Sequence, residues 1–155
     1  MNGPISPRRV ALEGLSQIIG EGRMLSEVMS DDVWMALTPP ERATAQRLTT
    51  ETLRYLGRAD HLLTPHLQRQ PPLKVMNILR MATVELMTGG AAHGVVNEAV
   101  KLAGSTKKTA PMKGLVNAVL RKIAAEGPEA WPALRAPRLA ITTILTGGAT
   151  ISVFV

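Results

Sequence analysis

The strongest constraint on the fold is the spacing of the apolar residues, which recur three and four positions apart in successive segments up to about residue 125. This spacing places them on one face of an α-helix, because a helix turns by about 100° per residue. Prolines and glycines separate the segments, as is typical of helix starts and ends. Aromatic residues make up only 3% of the chain, so the core must be aliphatic and methionine-rich. The sequence therefore predicts an all-α protein.

Individual helices can be placed from these patterns. The clearest start is Thr38-Pro39-Pro40-Glu41, a capping box in which the Thr38 hydroxyl and the Glu41 carboxylate each bond a free backbone amide. Ser6 followed by Pro7 marks the start of the first helix. The predicted helices cover about residues 7–20, 24–29, 39–57, 73–88, 92–103 and 111–125. A further helical piece contains Leu62, Leu63 and Leu67 and runs to Gln70, with a kink or an early break expected at Pro65. We expect a compact bundle of about seven helices.

The end of the chain has a different character. After Gly127-Pro128, the segment 140–155 is rich in Ile, Thr and Val around Gly147-Gly148, a composition that favours a β-hairpin. We therefore expect a helical domain at residues 1–127 and an atypical tail or linker remnant at residues 128–155. A frameshift, a truncation or a fusion would each account for residues 136–155, and the sequence does not choose among them.

Several classes of function are disfavoured by the composition. The chain has no cysteine, which removes disulfides, thiolate nucleophiles and cysteine zinc sites. His61, His66 and His93 have no ligand-like spacing, so we expect no metal site and interpret each as a packing or capping residue. The sequence shows no secretory signal and no run of about 20 apolar residues. We therefore expect a cytoplasmic protein that does not associate with membranes.

Positive charge is concentrated in one half of the predicted bundle. Residues 61–125 contain nine Lys or Arg and two Asp or Glu, a balance of +7, whereas residues 1–60 contain seven and eight, a balance of −1. A basic half favours a polyanionic partner, because each neutralised phosphate releases condensed counterions. The alternative is a solvated surface that only keeps the protein soluble. The charge pattern alone leaves both open.

Two consecutive segments resemble a known family. They are HGVVNEAVKLA at 93–103 and, after a basic loop, KGLVNAVLRKI at 113–123. Together with RVAL at 9–12, ETLR at 51–54 and DHLL at 60–63, they resemble the NusB-like family of RNA-binding proteins. The resemblance covers residues 6–125 and implies an all-helical RNA-binding domain.

Within this family the sequence is most similar to the amino-terminal domain of RsmB-type 16S ribosomal RNA cytosine-C5 methyltransferases. His93, Lys113-Gly114 and the basic Arg121 carry this likeness, whereas NusB itself usually has an acidic residue at the Arg121 position. Such enzymes continue into a catalytic domain that binds S-adenosylmethionine and uses a cysteine thiolate. The present chain has no cysteine and no glycine-rich loop between a strand and a helix. We therefore expect it to bind no cofactor and to be no enzyme by itself.

Basic side chains are the candidates for RNA contact. Arg121 is predicted to point away from the apolar face of its helix, with Lys113 and Lys122 at the borders of that face. The lysines of the basic loop precede the amino end of this helix, where the helix dipole favours an anion. For the arginines near the start of the chain, the family resemblance implies RNA contact. The candidate RNA-binding residues are Arg8, Arg9, Lys107, Lys108, Lys113, Arg121 and Lys122.

Three functional hypotheses follow. The first is a domain that binds ribosomal RNA through its phosphates, as the methyltransferase likeness implies. The second is a NusB-type transcription antitermination or termination factor, which binds RNA together with a ribosomal protein. The third is a helical module that docks on a methyltransferase catalytic domain supplied elsewhere and whose basic surface is incidental. Asn97 and Asn117, at the family's most recognisable positions, are interpreted as holding neighbouring backbone or another helix rather than RNA.

Overall fold

Helices account for nearly all of the regular structure. A computed structural model describes residues 6–134, and the hairpin expected at 140–155 lies outside them. The described residues form eight α-helices and no strand, which confirms the all-α prediction. The helices are α1 (Pro7–Glu21), α2 (Leu25–Met29), α3 (Asp32–Met35), α4 (Pro39–Arg54), α5 (Leu56–Leu63), α6 (Leu73–Met87), α7 (Ala92–Gly104) and α8 (Lys113–Ala130). Short 3-10 turns lie at Thr64–His66, Ala110–Met112 and Trp131–Leu134.

The chain divides into two units, with the division near the end of α4, between Glu51 and Thr52. The first unit contains α1, α2, α3 and most of α4, and the second contains α5 to α8. None of the helices in residues 6–134 is long and apolar enough to cross a membrane. The expected separation of a tail at residue 128 stays a prediction.

The first unit is built around Trp34, whose side chain is buried. Ser6 caps α1 as predicted, since its Oγ accepts a hydrogen bond from the backbone amide of Arg9 at 3.1 Å. A Cβ placed on Gly14 of α1 would lie 3.2 Å from Cγ1 of Val28 and 3.3 Å from Cζ2 of Trp34. The missing side chain at position 14 therefore lets α1 pack closely against α2 and α3.

The single turn α3 was not predicted and is held by a side chain of α4. The Arg42 guanidinium donates hydrogen bonds to the backbone oxygens of Trp34, Met35 and Leu37 at 3.2, 3.1 and 3.1 Å. These carbonyls at and just beyond the carboxyl end of a helix would otherwise lack partners. Nearby, Arg23 donates to both carboxylate oxygens of Asp31 at 2.6 and 3.1 Å. This hydrogen bonding holds the pKa of the Asp31 carboxyl below its ordinary value.

The capping box predicted at the start of α4 is present. The Thr38 amide donates to Oε1 of Glu41 at 2.9 Å, and the Glu41 amide donates to Oγ1 of Thr38 at 3.3 Å. Two of the free amides at the amino end of the helix are thereby satisfied.

Replacing Thr38 by Ala is expected to lower the free energy of unfolding by about 1 kcal/mol, because the Glu41 amide loses its acceptor. Urea denaturation of both proteins measures the difference. Thr44→Ala is the control, since the Thr44 hydroxyl only donates to the Pro40 carbonyl of its own helix; its effect should stay within about 0.5 kcal/mol. Equal losses in the two variants would contradict the capping role.

The second unit has α6 at its centre, packed against α5, α7 and α8. All residues from Val75 to Glu85 are buried, so α6 is enclosed on every side rather than along the single stripe that the sequence predicts. Arg80 is among them, and its guanidinium donates to both carboxylate oxygens of Asp60 on α5 at 2.7 and 2.9 Å and to Oδ1 of Asn77 at 2.9 Å. A buried cation requires such pairing, because removal from water penalises an unpaired charge.

The last helix is longer than the sequence predicts. A helix end near residue 125 is expected, but α8 continues through Gly127 and Pro128 to Ala130. Beyond it, the ring of Trp131 lies 4.1 Å from the Arg58 guanidinium carbon, and Arg58 also donates to the Trp131 carbonyl at 2.8 Å. This cation–π contact and the hydrogen bond anchor the end of α8 on α5.

Candidate nucleic-acid interface

The basic residues nominated from the second half of the sequence lie on one helical hairpin, formed by α7 and α8. The two helices run antiparallel. At one end, a Cβ placed on Gly104 would lie 2.9 Å from Cδ of Lys113, and further along the pair the first turns of α7 face Arg121 and Ala124. Val95, Ala99 and Leu102 of α7 are buried, as are Val116, Val119, Leu120 and Ile123 of α8. The buried faces leave the polar side chains of both helices at the surface.

The loop that joins α7 to α8 is held in place by its own hydroxyl groups. Thr109 is buried, and its hydroxyl donates to the Ala103 carbonyl. Because the Thr109 hydroxyl proton is used in this bond, the Thr106 hydroxyl must donate to Oγ1 of Thr109, over a distance of 2.8 Å. Ser105 also donates to the Leu102 carbonyl at 2.6 Å. The loop therefore presents the exposed Lys107 and Lys108 from a fixed backbone.

Lys113 and Arg121 extend this basic region along α8. The stem of Lys113 crosses Gly104, which places its cation at the carboxyl end of α7, where the helix dipole favours positive charge. Arg121 follows eight residues later, a rise of about 12 Å and a rotation of about 80°. We call Lys107, Lys108, Lys113 and Arg121 the hairpin basic surface.

Lys122 lies apart from the hairpin basic surface. It is exposed, but nine helical steps rotate it by about 180° from Lys113, to the opposite border of the buried face. The structure therefore does not bring it to the same side of α8. An RNA contact for Lys122 stays a prediction.

The charge of the hairpin basic surface is not neutralised within the described part of the chain. Among residues 6–134, none of its four cations forms an ion pair. Other cations do, for example Lys101 with Glu98 at 3.6 Å and Arg47 with Glu51 at 3.7 Å. The surface thus keeps its positive charge for an external anion.

Arg8 and Arg9 belong to the first unit. They occupy the first turn of α1, where Arg9 is exposed and Arg8 is half-buried. An RNA contact for Arg8 and Arg9 stays a prediction.

A cleft of about 300 Å³ lies between α7 and α8 next to the hairpin basic surface, and the sequence did not predict it. Its lining consists of Ala92, His93, Val96, Asn97, Arg121 and Ala124. The sequence predicts that Asn97 holds backbone or another helix, but its Nδ2 lies 3.2 Å from Nε2 of His93 within α7. Nε of Arg121 donates to Oδ1 of Asn117 at 3.4 Å. His93, Asn97 and Arg121 are all exposed.

The three histidines do not come together. His61 is exposed on α5, His66 lies 3.6 Å from Oε1 of Glu126, and His93 lines the cleft. Within residues 6–134, no three His, Asp or Glu side chains are grouped so that they could hold a metal ion.

Comparisons with known proteins identify the fold. The NusB family model matches residues 5–125, which is most of the chain. A solved structure of T. maritima NusB (P3121, form 2) superposes with a TM-score of 0.63 and 21% sequence identity, over 81% of this chain and 94% of that chain. At this identity the likeness concerns the fold. A search of curated proteins found no match.

Proposed function

The chain belongs to the NusB family, and from this membership we propose that it binds RNA through the hairpin basic surface. The observation that carries the proposal is the convergence of Lys107, Lys108, Lys113 and Arg121 on one hairpin without an ion pair among the described residues. RNA phosphates are the anions that such a surface suits, because they lie in a continuous row and release counterions when they are neutralised. The role assigned is binding rather than catalysis.

Within residues 6–134, the Trp and Tyr rings contribute little stacking to this mode of binding. Trp34 is 1% exposed and Trp131 is 9% exposed, and Trp131 is covered by Arg58. Tyr55 is half-buried and also contacts Arg58, whose guanidinium carbon lies 5.2 Å from the ring centre. Proteins that bind single strands through stacking platforms expose such rings. The affinity should therefore come mainly from phosphate contacts.

The affinity for RNA is expected to depend strongly on salt. If the four cations of the hairpin basic surface and one further basic side chain neutralise about five phosphates on a single strand, log K should fall against log salt with a slope of about −3.5. Between about 50 and 200 mM salt, the affinity would then fall roughly 100-fold. Fluorescence anisotropy of a labelled ribosomal RNA oligonucleotide measures the slope. A flat salt response would refute binding through phosphates.

A NusB-type role in transcription antitermination or termination is the finer function that we favour. Its support is the superposition on 94% of a NusB chain together with the family match. Such a factor binds RNA together with a ribosomal protein. Formation of a ternary complex with RNA and a ribosomal protein, and activity in an antitermination assay, would test this role.

The methyltransferase-domain function remains the second candidate because of Arg121. This basic, exposed residue stands where NusB itself usually has an acidic one. Under this hypothesis the target is ribosomal RNA and the partner is a methyltransferase catalytic domain. The nucleotide sequence beyond the codon for Arg138 tests it, since an alternative reading frame that encodes a methyltransferase domain is expected.

A further inference from the structure

We propose that the cleft between α7 and α8 holds one unstacked base of bound RNA, an inference that rests on the RNA binding proposed above. The phosphate contacts of the hairpin basic surface carry no sequence information by themselves. The cleft adds a place where a base can be recognised next to those contacts.

The shape and lining of the cleft suit a base better than a phosphate alone. Its volume of about 300 Å³ is at the lower end of the range for small-ligand pockets. Ala92, Val96 and Ala124 supply apolar surface, and Val96 is 6% exposed. A flat base has apolar faces that gain from such a surface, whereas a phosphate is hydrated and gains nothing from it.

The polar side chains of the cleft provide the contacts that single-stranded bases use. Bases that leave a stack are held on His rings or Arg guanidinium planes and are hydrogen-bonded along their edges. Arg121 is tethered at Nε by Asn117, and within residues 6–134 its two Nη groups have no hydrogen-bond partner. The Asn97 amide offers both a donor and an acceptor. Because its Nδ2 faces His93, its Oδ1 can accept from a base edge.

The position of the cleft makes this contact compatible with the phosphate contacts. Arg121 belongs to both the cleft and the hairpin basic surface. Lys113 lies about 12 Å away along α8, at the end that carries Lys107 and Lys108. A strand whose phosphates lie against the lysines can therefore continue toward the cleft and place a base there.

The test compares two oligomers of equal length, an RNA homopolymer and the same sugar–phosphate chain without bases. The RNA homopolymer is made in four versions, of uridine, cytidine, adenosine or guanosine. Fluorescence anisotropy measures the binding of each version and of the abasic chain. A base held by side chains contributes about 1–3 kcal/mol, so the wild-type protein should prefer at least one RNA over the abasic chain by roughly 5- to 150-fold.

Two variants locate that preference. His93→Ala combined with Asn97→Ala removes two of the three polar side chains that line the cleft and keeps Arg121. Ala124→Leu fills the cleft without removing a polar group. Both should abolish the preference for bases and leave the salt slope unchanged, because all four cations remain. His61→Ala combined with Gln46→Ala is the matched control, since both residues are exposed and outside the cleft. Circular dichroism and thermal unfolding confirm that each variant is folded.

The outcomes separate this inference from the function on which it rests. Loss of the base preference in both cleft variants, with the control unchanged, supports the cleft. Equal binding of the RNA and the abasic chain, with a steep salt slope, overturns base binding in the cleft and leaves phosphate binding intact. A base preference that survives in both cleft variants has the same consequence. Failure of the wild-type protein to bind either oligomer overturns both proposals.

Discussion

Replacing Lys107, Lys108 and Arg121 together by Gln is expected to weaken RNA binding roughly 100-fold at about 0.1 M salt. Each phosphate contact on a single strand contributes about 0.7 to the salt slope. Removal of three contacts should therefore change the slope from about −3.5 to about −1.4. All three side chains are exposed, so each replacement should change the stability by less than about 0.5 kcal/mol.

The matched control removes the same charge elsewhere, by Arg47→Gln, Arg54→Gln and Arg69→Gln. These arginines are also exposed, and Arg47 already pairs with Glu51. If the hairpin basic surface binds RNA, the control should keep most of the affinity and slope. Equal losses in both triple variants would show that only net charge matters. Unchanged binding in the hairpin variant would favour the protein-docking hypothesis, in which the basic surface is incidental.

The helix starts and the all-α class were accessible from the sequence because they depend on local chemistry. The Ser6 cap and the Thr38–Glu41 capping box involve groups within one helical turn, and both are confirmed. Helical periodicity likewise predicts that Arg121 is exposed while Leu120 beside it is buried. Such features follow from the spacing of residues along the chain, without knowledge of how the helices pack.

The errors in the predicted helices arise where distant contacts decide. The turn α3 is too short to show an apolar period, and its carbonyls depend on Arg42 of another helix. The continuation of α8 past Gly127 and Pro128 brings Trp131 to Arg58, which is 73 positions away in the sequence. Nothing near residue 128 indicates such a partner, so the glycine and proline are naturally interpreted as a helix end.

The candidate interface also combines features that follow from the local sequence with features that depend on distant contacts. The basic residues of the loop and of α8 could be nominated from charge and helical geometry, but the cleft could not. It exists only because α7 and α8 pack antiparallel and bring His93 and Asn97 opposite Arg121. The pairing of Arg80 with Asp60, which steadies α6 at the centre of the second unit, is also formed across 20 positions of sequence. Contacts of this kind, between residues that are distant in the sequence, can be identified only from the packed structure.

The first unit offers the largest expected effect on stability, because its packing depends on one aromatic side chain. Trp34 is 1% exposed, and the absence of a side chain at Gly14 gives it room against α1. Trp34→Ala is expected to lower the free energy of unfolding by about 3–5 kcal/mol, since the lost apolar burial leaves a cavity. That is a large part of the roughly 5–15 kcal/mol that stabilises a typical domain.

Urea denaturation measures the loss, and hydrogen exchange locates it, since the amides of α1 should exchange faster when their packing partner is removed. Met35→Ala is the neighbouring control, because Met35 is 57% exposed on the same turn; its effect should stay within about 0.5 kcal/mol. A Trp34→Ala loss as small as that of the control would show that α1 is held by other contacts. The predicted RNA contacts of Arg8 and Arg9 would then not depend on the α1–α3 packing. A large loss of stability together with a shallower salt slope of RNA binding would instead link these RNA contacts to that packing.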